Sequence, residues 1–249
     1  MTKHFTIIIP SYNNEKWTKR CLGSALNQNY KNYDVVYIND CSTDNTADVV
    51  RQIIDETDTK ANVRVVENKV NRKALYNLYH EIKNSKDGTI IVTLDGDDWL
   101  ATSDVLNVLN QAYTSSDLWM TAGSYIDNIV GMVRQPNISE QYWDSNIRFK
   151  EWTISHLRTF RKELFMKIEY EDLMDEDGYF YKYTFDQAMM YPMAEMSGPL
   201  HFGEIKQVTY VYNRKNPISF DRVHRHDQLR IERQIRQKKP YDRLESLDA

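Results

Sequence analysis

Asp95-Gly96-Asp97-Asp98-Trp99-Leu100 brings three carboxylates together directly after the apolar run Thr89-Ile90-Ile91-Val92-Thr93-Leu94. The β-branched run predicts a buried strand, so the carboxylates stand where a strand stops. Like charges crowded at a strand end repel one another and do nothing for folding. A divalent cation relieves that repulsion. Hard cations such as Mg²⁺ or Mn²⁺ take oxygen ligands and commonly bridge carboxylates to a diphosphate. The competing reading is an acidic turn capping a helix that starts near Thr102.

Positioning these groups requires a regular frame, and the first hundred residues supply one. Phe5 to Ile9, Tyr33 to Ile38, Asn62 to Glu67 and Thr89 to Leu94 read as strands. Glu15 to Leu26, Thr46 to Ile54 and Lys73 to Ile82 read as helices, with apolar residues at helical spacing. This alternation predicts an α/β fold with a mostly parallel sheet and helices on both faces. Ligands bind such sheets at the carboxyl ends of the strands. The loops there carry Pro10-Ser11-Tyr12-Asn13, Asn39 to Asp44 and Asp95 to Asp98, so their polar side chains converge on one edge.

Beyond Leu100 the pattern loosens. Helices are expected over Thr102 to Tyr113, Arg161 to Ile168 and Phe185 to Met196, the last stopped by Ser197-Gly198-Pro199. Leu118 to Asp127, Asn128 to Arg134 and Gln207 to Asn213 read as strands, and Asp227 to Lys239 as a closing helix. The expected division is a domain over 1–205, with a nucleotide-binding half at 1–100 and an acceptor half at 101–205. A helical, basic C-terminal extension is expected over 206–249.

Charge supports that division. Lys206 to Arg243 holds eleven Lys and Arg against four Asp and Glu, a balance of +7; with −4 on the whole chain, −11 falls on the rest. A basic tail on an acidic body meets an anionic partner, a membrane surface, or the body itself. Hydrophobic content of 41% and charged content of 27% fit a globular protein rather than a disordered one. No apolar run reaches the length of a bilayer span, and Phe5 to Ile9 is too short for a secretory signal, so a cytoplasmic location is expected. Two cysteines, Cys21 and Cys41, exclude a disulfide framework and a cysteine-built zinc site.

Individual roles follow. Asp40 ends the second strand, where its carboxylate can accept the imino hydrogen of a uracil or close the loop as an Asx-turn. Tyr12 can lie against a base face. Asp97 is the leading metal ligand, and Asp95 faces ribose hydroxyls or metal-bound water.

In Ile7-Ile8-Ile9-Pro10-Ser11-Tyr12-Asn13, in Val35 to Thr46 and in Leu94-Asp95-Gly96-Asp97-Asp98, the chain resembles the family 2 glycosyltransferases of the GT-A (Rossmann-like) fold. The resemblance implies a nucleotide-sugar donor, usually uridine-linked, a Mn²⁺ or Mg²⁺ ion on its diphosphate, and inversion at the anomeric carbon. It assigns donor contacts to Pro10, Tyr12, Asn13, Asp40, Asp95 and Gly96. Ser155 to Arg161 is similar to a segment preceding the acceptor site, which points to His156 and Arg158. Phe185 to Glu195 is similar to the segment carrying the catalytic base. The usual acidic pair is reduced there to Asp186-Gln187, leaving Asp186 as the base or as a helix N-cap. The family's donor-loop glycine is missing from Asn68 to Asn77, where Arg72 or Lys73 is placed on the diphosphate. A late histidine, His224 ahead of His226, is a further metal ligand or a surface residue.

The acceptor is left open. Trp152, with Trp143, Tyr142, Phe149, Tyr179, Phe180, Tyr181 and Tyr183, gives the second half an aromatic wall on which sugars or bases stack. A saccharide or glycopolymer is expected. The basic tail also admits an anionic acceptor such as a modified nucleic acid. A nucleotidyltransferase would need a glycine-rich loop after the first strand, and Pro10-Ser11-Tyr12-Asn13-Asn14 has none. A non-catalytic nucleotide-sugar binding module would dispense with Asp186.

Overall fold

The computed structural model describes residues 2–217 and 225–247. Its first half runs β1 (Phe5–Ser11), α1 (Glu15–Leu26), β2 (Tyr33–Asn39), α2 (Thr46–Glu56), β3 (Asn62–Glu67), α3 (Ala74–Asn84) and β4 (Ile90–Thr93). Then follow β5 (Trp99–Leu100), α4 (Val105–Ser115), β6 (Met120–Asp127), β7 (Val133–Arg134), β8 (Arg158–Arg161) and α5 (Lys162–Phe165). The chain closes with α6 (Phe185–His201), β9 (Phe202–Tyr212) and α7 (Arg225–Gln237).

Among the described residues the strands form one sheet of nine, ordered β3-β2-β1-β4-β8-β6-β9-β5, with β7 beside β6. The β3-β2-β1-β4 block is parallel, as the alternating sequence requires. The remainder is mixed, because β8 enters antiparallel between β4 and β6. Strand alternation divides the core in two. Phe5, Ile7 and Ile9 of β1 pack with Cys21 and Leu22 of α1, Val50 of α2 and Leu106 of α4. Ile8 points to the other face, with Leu75 and Leu78 of α3, Phe165 of α5 and the methionines of α6.

Two expectations are corrected. The helix read over Arg161 to Ile168 is only the single turn α5, Lys162–Phe165, and Arg161 instead ends a strand, β8. Arg158-Thr159-Phe160-Arg161 has no apolar alternation of its own. Its pairing comes from β4 and β6, with Thr159 Oγ1 bonded to Thr121 Oγ1 (2.6 Å) and Tyr113 Oη (2.9 Å). The expected stop at Ser197-Gly198-Pro199 is met: Gly198 breaks the helix with φ +56° and ψ −171°, and only a last turn to His201 follows. Finally, β9 starts at Phe202 and pairs with β6 as far as Tyr212. The expected boundary at 206 therefore falls inside a strand of the main sheet.

The basic tail docks on the body. Ile231 and Ile235 of α7 are buried in the α6-side core. Lys238 pairs with Asp172 at 3.3 Å, and Arg236 donates to the Lys150 carbonyl at 2.9 Å. Beneath them Arg148, 1% exposed, makes a two-pronged ion pair with Glu195 (2.7 and 2.8 Å) and donates to the Ile235 carbonyl at 2.9 Å. Glu195 also accepts from the Tyr241 backbone N–H at 3.1 Å. Arg230, Arg233 and Lys239 stay exposed. Removing one member of such a pair strands the other charge in the core. Glu195→Ala should lower unfolding free energy by about 3–5 kcal/mol in urea titration; a loss below about 1 kcal/mol, the range of surface pairs, would show that the pair is not needed.

Candidate active site

The acidic loop sits at the carboxyl end of β4, between the end of β1 and the end of β9. Asp98 is buried, at 1% exposure. Its Oδ2 accepts from the Tyr210 hydroxyl at 2.5 Å, and its Oδ1 accepts from the Asn213 backbone N–H at 2.7 Å. Burial, then the nearby Asp97 and Asp95, push its pKa well above the usual carboxylate range. Asp95 and Asp97 are only partly buried. Asp95 is also pushed up, first by desolvation and then by Asp186, against the pull of Arg158. Asp97 Oδ2 accepts from Asn216 Nδ2 at 2.7 Å, and its carbonyl accepts from Asn213 Nδ2 at 2.9 Å.

Gly96 is required by space. A Cβ there would lie 2.5 Å from Ser11 Oγ and 2.6 Å from Ser11 Cβ. Ser11 is itself fixed by the Tyr37 hydroxyl (2.8 Å) and Asn14 Nδ2 (3.1 Å). The loop therefore lies directly on the end of β1.

His156 and Arg158 complete the centre. His156 stacks on Tyr210 (ring centroids 4.5 Å apart) and Tyr212 (5.4 Å), with Nδ1 3.9 Å from Asp95 Oδ2 and Nε2 3.2 Å from Arg158 Nη2. Burial and then Arg158 hold its pKa well below the ordinary histidine value, so the ring is neutral. Arg158 Nη2 donates to Asp186 Oδ2 at 3.0 Å. Burial opposes its charge, but Asp186 and Asp95 keep it firmly protonated.

Asp186 lies in the first turn of α6 and is not the N-cap; Thr184 holds that position without a side-chain bond. Sequence spacing links neither Asp186 nor Arg158 to the acidic loop. The sheet brings them there by inserting β8 beside β4.

Other expected donor residues gather on the same edge. Asp40 accepts from Asn68 Nδ2 and from the backbone N–H groups of Arg72 and Lys73, each at 2.8 Å. Its carboxylate thus clamps the loop that runs from Asn68 to Lys73. Lys73 Nζ lies 5.9 Å from the centre of the Tyr12 ring, while Arg72 turns onto Tyr76. Asn13 Oδ1 accepts from the Thr43 backbone N–H at 2.8 Å, joining the loops after β1 and β2, and Pro10 is half-buried in β1. Trp152 packs on Tyr191 of α6 (5.0 Å), half-buried against the core. His224 lies outside the described residues, and His226 is exposed on α7. Sequence reading missed Tyr210, Asn213 and Asn216. Their only signal was a polar end to the last strand, and nothing in their spacing ties them to residues a hundred positions earlier.

Asp95, Asp98 and His156 present ligand atoms within 4.8 Å of one another. Both Asp98 oxygens are already committed to Tyr210 and Asn213. Asp95, with neutral His156 3.9 Å away, leaves an oxygen and a nitrogen donor side by side, a set that fits a divalent cation, while Asp97 lies outside that cluster with its Oδ2 held by Asn216.

The sequence model described as glycosyl transferase family 2 matches residues 6–172. Among curated proteins, the chain is 28% identical over 134 residues to the Escherichia coli UDP-Glc:alpha-D-GlcNAc-diphosphoundecaprenol beta-1,3-glucosyltransferase WfaP, covering 53% of this chain and 51% of that one. The matching stretch spans only 16–51% of the length of most of the curated relatives that match. Its fold matches that of Staphylococcus aureus TarS 1-349 in complex with UDP-GlcNAc (TM-score 0.68, 18% identity, 93% of this chain and 65% of that one). It also matches the mannosyltransferase PcManGT from Pyrobaculum calidifontis in complex with GDP-Man and Mn2+ (TM-score 0.67, 19% identity, 97% and 66%). These likenesses establish the GT-A fold.

Because Gly96 has no room for a side chain, Gly96→Ala should displace the acidic loop and weaken nucleoside diphosphate binding by about tenfold to a hundredfold, read by calorimetry. Adding Ser11→Gly, which removes the two closest atoms and leaves Asn14 Nδ2 at 2.9 Å, should restore part of the affinity; full affinity in the single variant would show that the loop has slack.

Proposed function

Because the chain belongs to glycosyl transferase family 2, we propose that it is an inverting glycosyltransferase moving a sugar from a nucleotide-sugar to an acceptor hydroxyl. One observation carries this reading: Asp186 meets the acidic loop through Arg158 (3.0 Å) and His156, which in turn faces Asp95 (3.9 Å). This supports reading Asp186 as a base that works beside a donor-diphosphate site.

In this reading Asp186 Oδ1 takes the acceptor proton while Arg158 holds Oδ2, fixing the carboxylate's aim. The acceptor oxygen then attacks the anomeric carbon as the sugar–phosphate bond breaks. Asp97, with Asp95, would hold the divalent cation, Mn²⁺ or Mg²⁺. When bound, the cation neutralises charge building on the leaving diphosphate. Lys73 adds positive charge beside Tyr12, which offers a face for the base. Asp40 retains lone pairs that can accept an imino N–H after clamping the donor loop. This supports a uridine donor, the nucleotide named with WfaP and TarS, whereas PcManGT carries GDP-Man. The acceptor is taken to be a saccharide, free or on a carrier.

Asp186→Asn should lower transfer by about 10²–10⁴-fold while leaving nucleotide binding unchanged. Nucleoside diphosphate release in the presence of acceptor reads the first, calorimetry the second, and near wild-type turnover would remove Asp186 from the mechanism. Asp97→Ala should abolish the part of UDP affinity that depends on Mn²⁺; an equal manganese effect in both proteins would move the cation elsewhere.

A further inference from the structure

The turn between β6 and β7 carries an apolar tip that sugar transfer does not use. Ile129, Val130, Met132 and Val133 are 55%, 65%, 47% and 44% exposed. They are held there by a well-bonded turn. Asp127 Oδ1 accepts from the backbone N–H groups of Ile129 (2.8 Å) and Val130 (3.1 Å). The Gly131 N–H donates to the Asp127 carbonyl at 2.9 Å, and the Asp127 N–H donates to the Met132 carbonyl at 3.1 Å. Gly131 takes φ +67°, which glycine tolerates without strain. Four apolar side chains fixed in solvent by satisfied backbone bonds mark a contact surface rather than a folding accident.

The surroundings of the tip are basic. Arg134 ends β7, and Arg214 and Lys215 follow β9; all three are exposed. Arg214 also reaches Asp127 at 3.4 Å, behind the tip. Residues 128–138 and 213–217 contain no Asp or Glu. The tip is also joined to the candidate active site. Asn128 Nδ2 donates to Asn213 Oδ1 at 2.7 Å, and Asn213 in turn holds Asp97 and Asp98. Tyr125, at the base of the turn, lies edge-on to His156 with ring centroids 5.7 Å apart.

We propose that this turn docks the protein on an anionic membrane surface, and that the acceptor reaches the site on a lipid carrier. The four apolar side chains enter the headgroup boundary, and Arg134, Arg214 and Lys215 face lipid phosphates, the pairing that anchors peripheral proteins at an interface. None of the helices among the described residues is long and apolar enough to cross a membrane, so this turn lies on the surface and does not span it. The lipid-carried acceptor rests on the transferase reading; the docking itself does not.

The test is sedimentation of the full chain with phosphatidylcholine vesicles, with and without phosphatidylglycerol. Binding should need phosphatidylglycerol and weaken with salt. The double substitution Ile129→Asp, Val130→Asp should lower vesicle binding at least about tenfold while calorimetric UDP binding stays unchanged. If that variant fails to fold, Val130→Ser and Arg134→Glu are read in the same assay and should each weaken binding. Wild-type protein that ignores both vesicle types, or variants that bind as wild type, would overturn the docking. So would a dimer that depends on Ile129 and Val130. Wild-type protein that shows Asp186-dependent transfer but ignores vesicles overturns the docking alone, whereas wild-type vesicle binding without transfer overturns the transferase reading alone.

Discussion

A carboxylate buried at a strand end must be bonded on both oxygens or it will disrupt the fold, and Asp98 is such a carboxylate. Its partners, Tyr210 and Asn213, come from the far end of the chain. The last strand is therefore part of the site's foundation, although β9 pairs with β6 and β5 and never with β4. With Asp98 secured, Asp95 and Asp97 stay only partly buried on a loop that Gly96 seats against Ser11. The repulsion among three neighbouring acids is thus held in place by two hydrogen bonds and one missing side chain.

Charge is distributed around that centre with economy. Arg158 stands between two acids, Asp186 and Asp95, and each stabilises its buried cation. His156 stays neutral between Arg158 and Asp95, so it can orient or ligate without adding charge. Asp40 acts at a distance from this cluster by drawing the backbone of Arg72 and Lys73 onto the sheet edge. The acidic residues here accordingly differ in what they hold: Asp98 anchors the acidic loop to the last strand, and Asp40 closes the loop at Arg72 and Lys73.

The second ionic centre is structural. Arg148 and Glu195 join α6 to the α7 segment beneath a layer of aromatic and aliphatic side chains. A buried pair contributes little net stability over a well-packed apolar pair, but its geometry admits few alternatives. It fixes how the basic tail lies, which leaves Arg230, Arg233 and Lys239 on the outer surface.

The sequence by itself determined the parallel block and its loops. Strand and helix periods there are local, and the order β1-α1-β2-α2-β3-α3-β4 leaves few topologies. It also determined the acidic loop, because three acids after a β-branched run are visible without neighbours. Only the tertiary structure decided which acid is buried, that Arg161 belongs to a strand, and that Asp186 and Arg158 meet Asp95. Those outcomes depend on contacts between residues far apart in the chain, such as Asp98 with Tyr210 and β8 with β4. No local propensity encodes such contacts; they arise when the sheet is assembled and each buried polar group must find a partner.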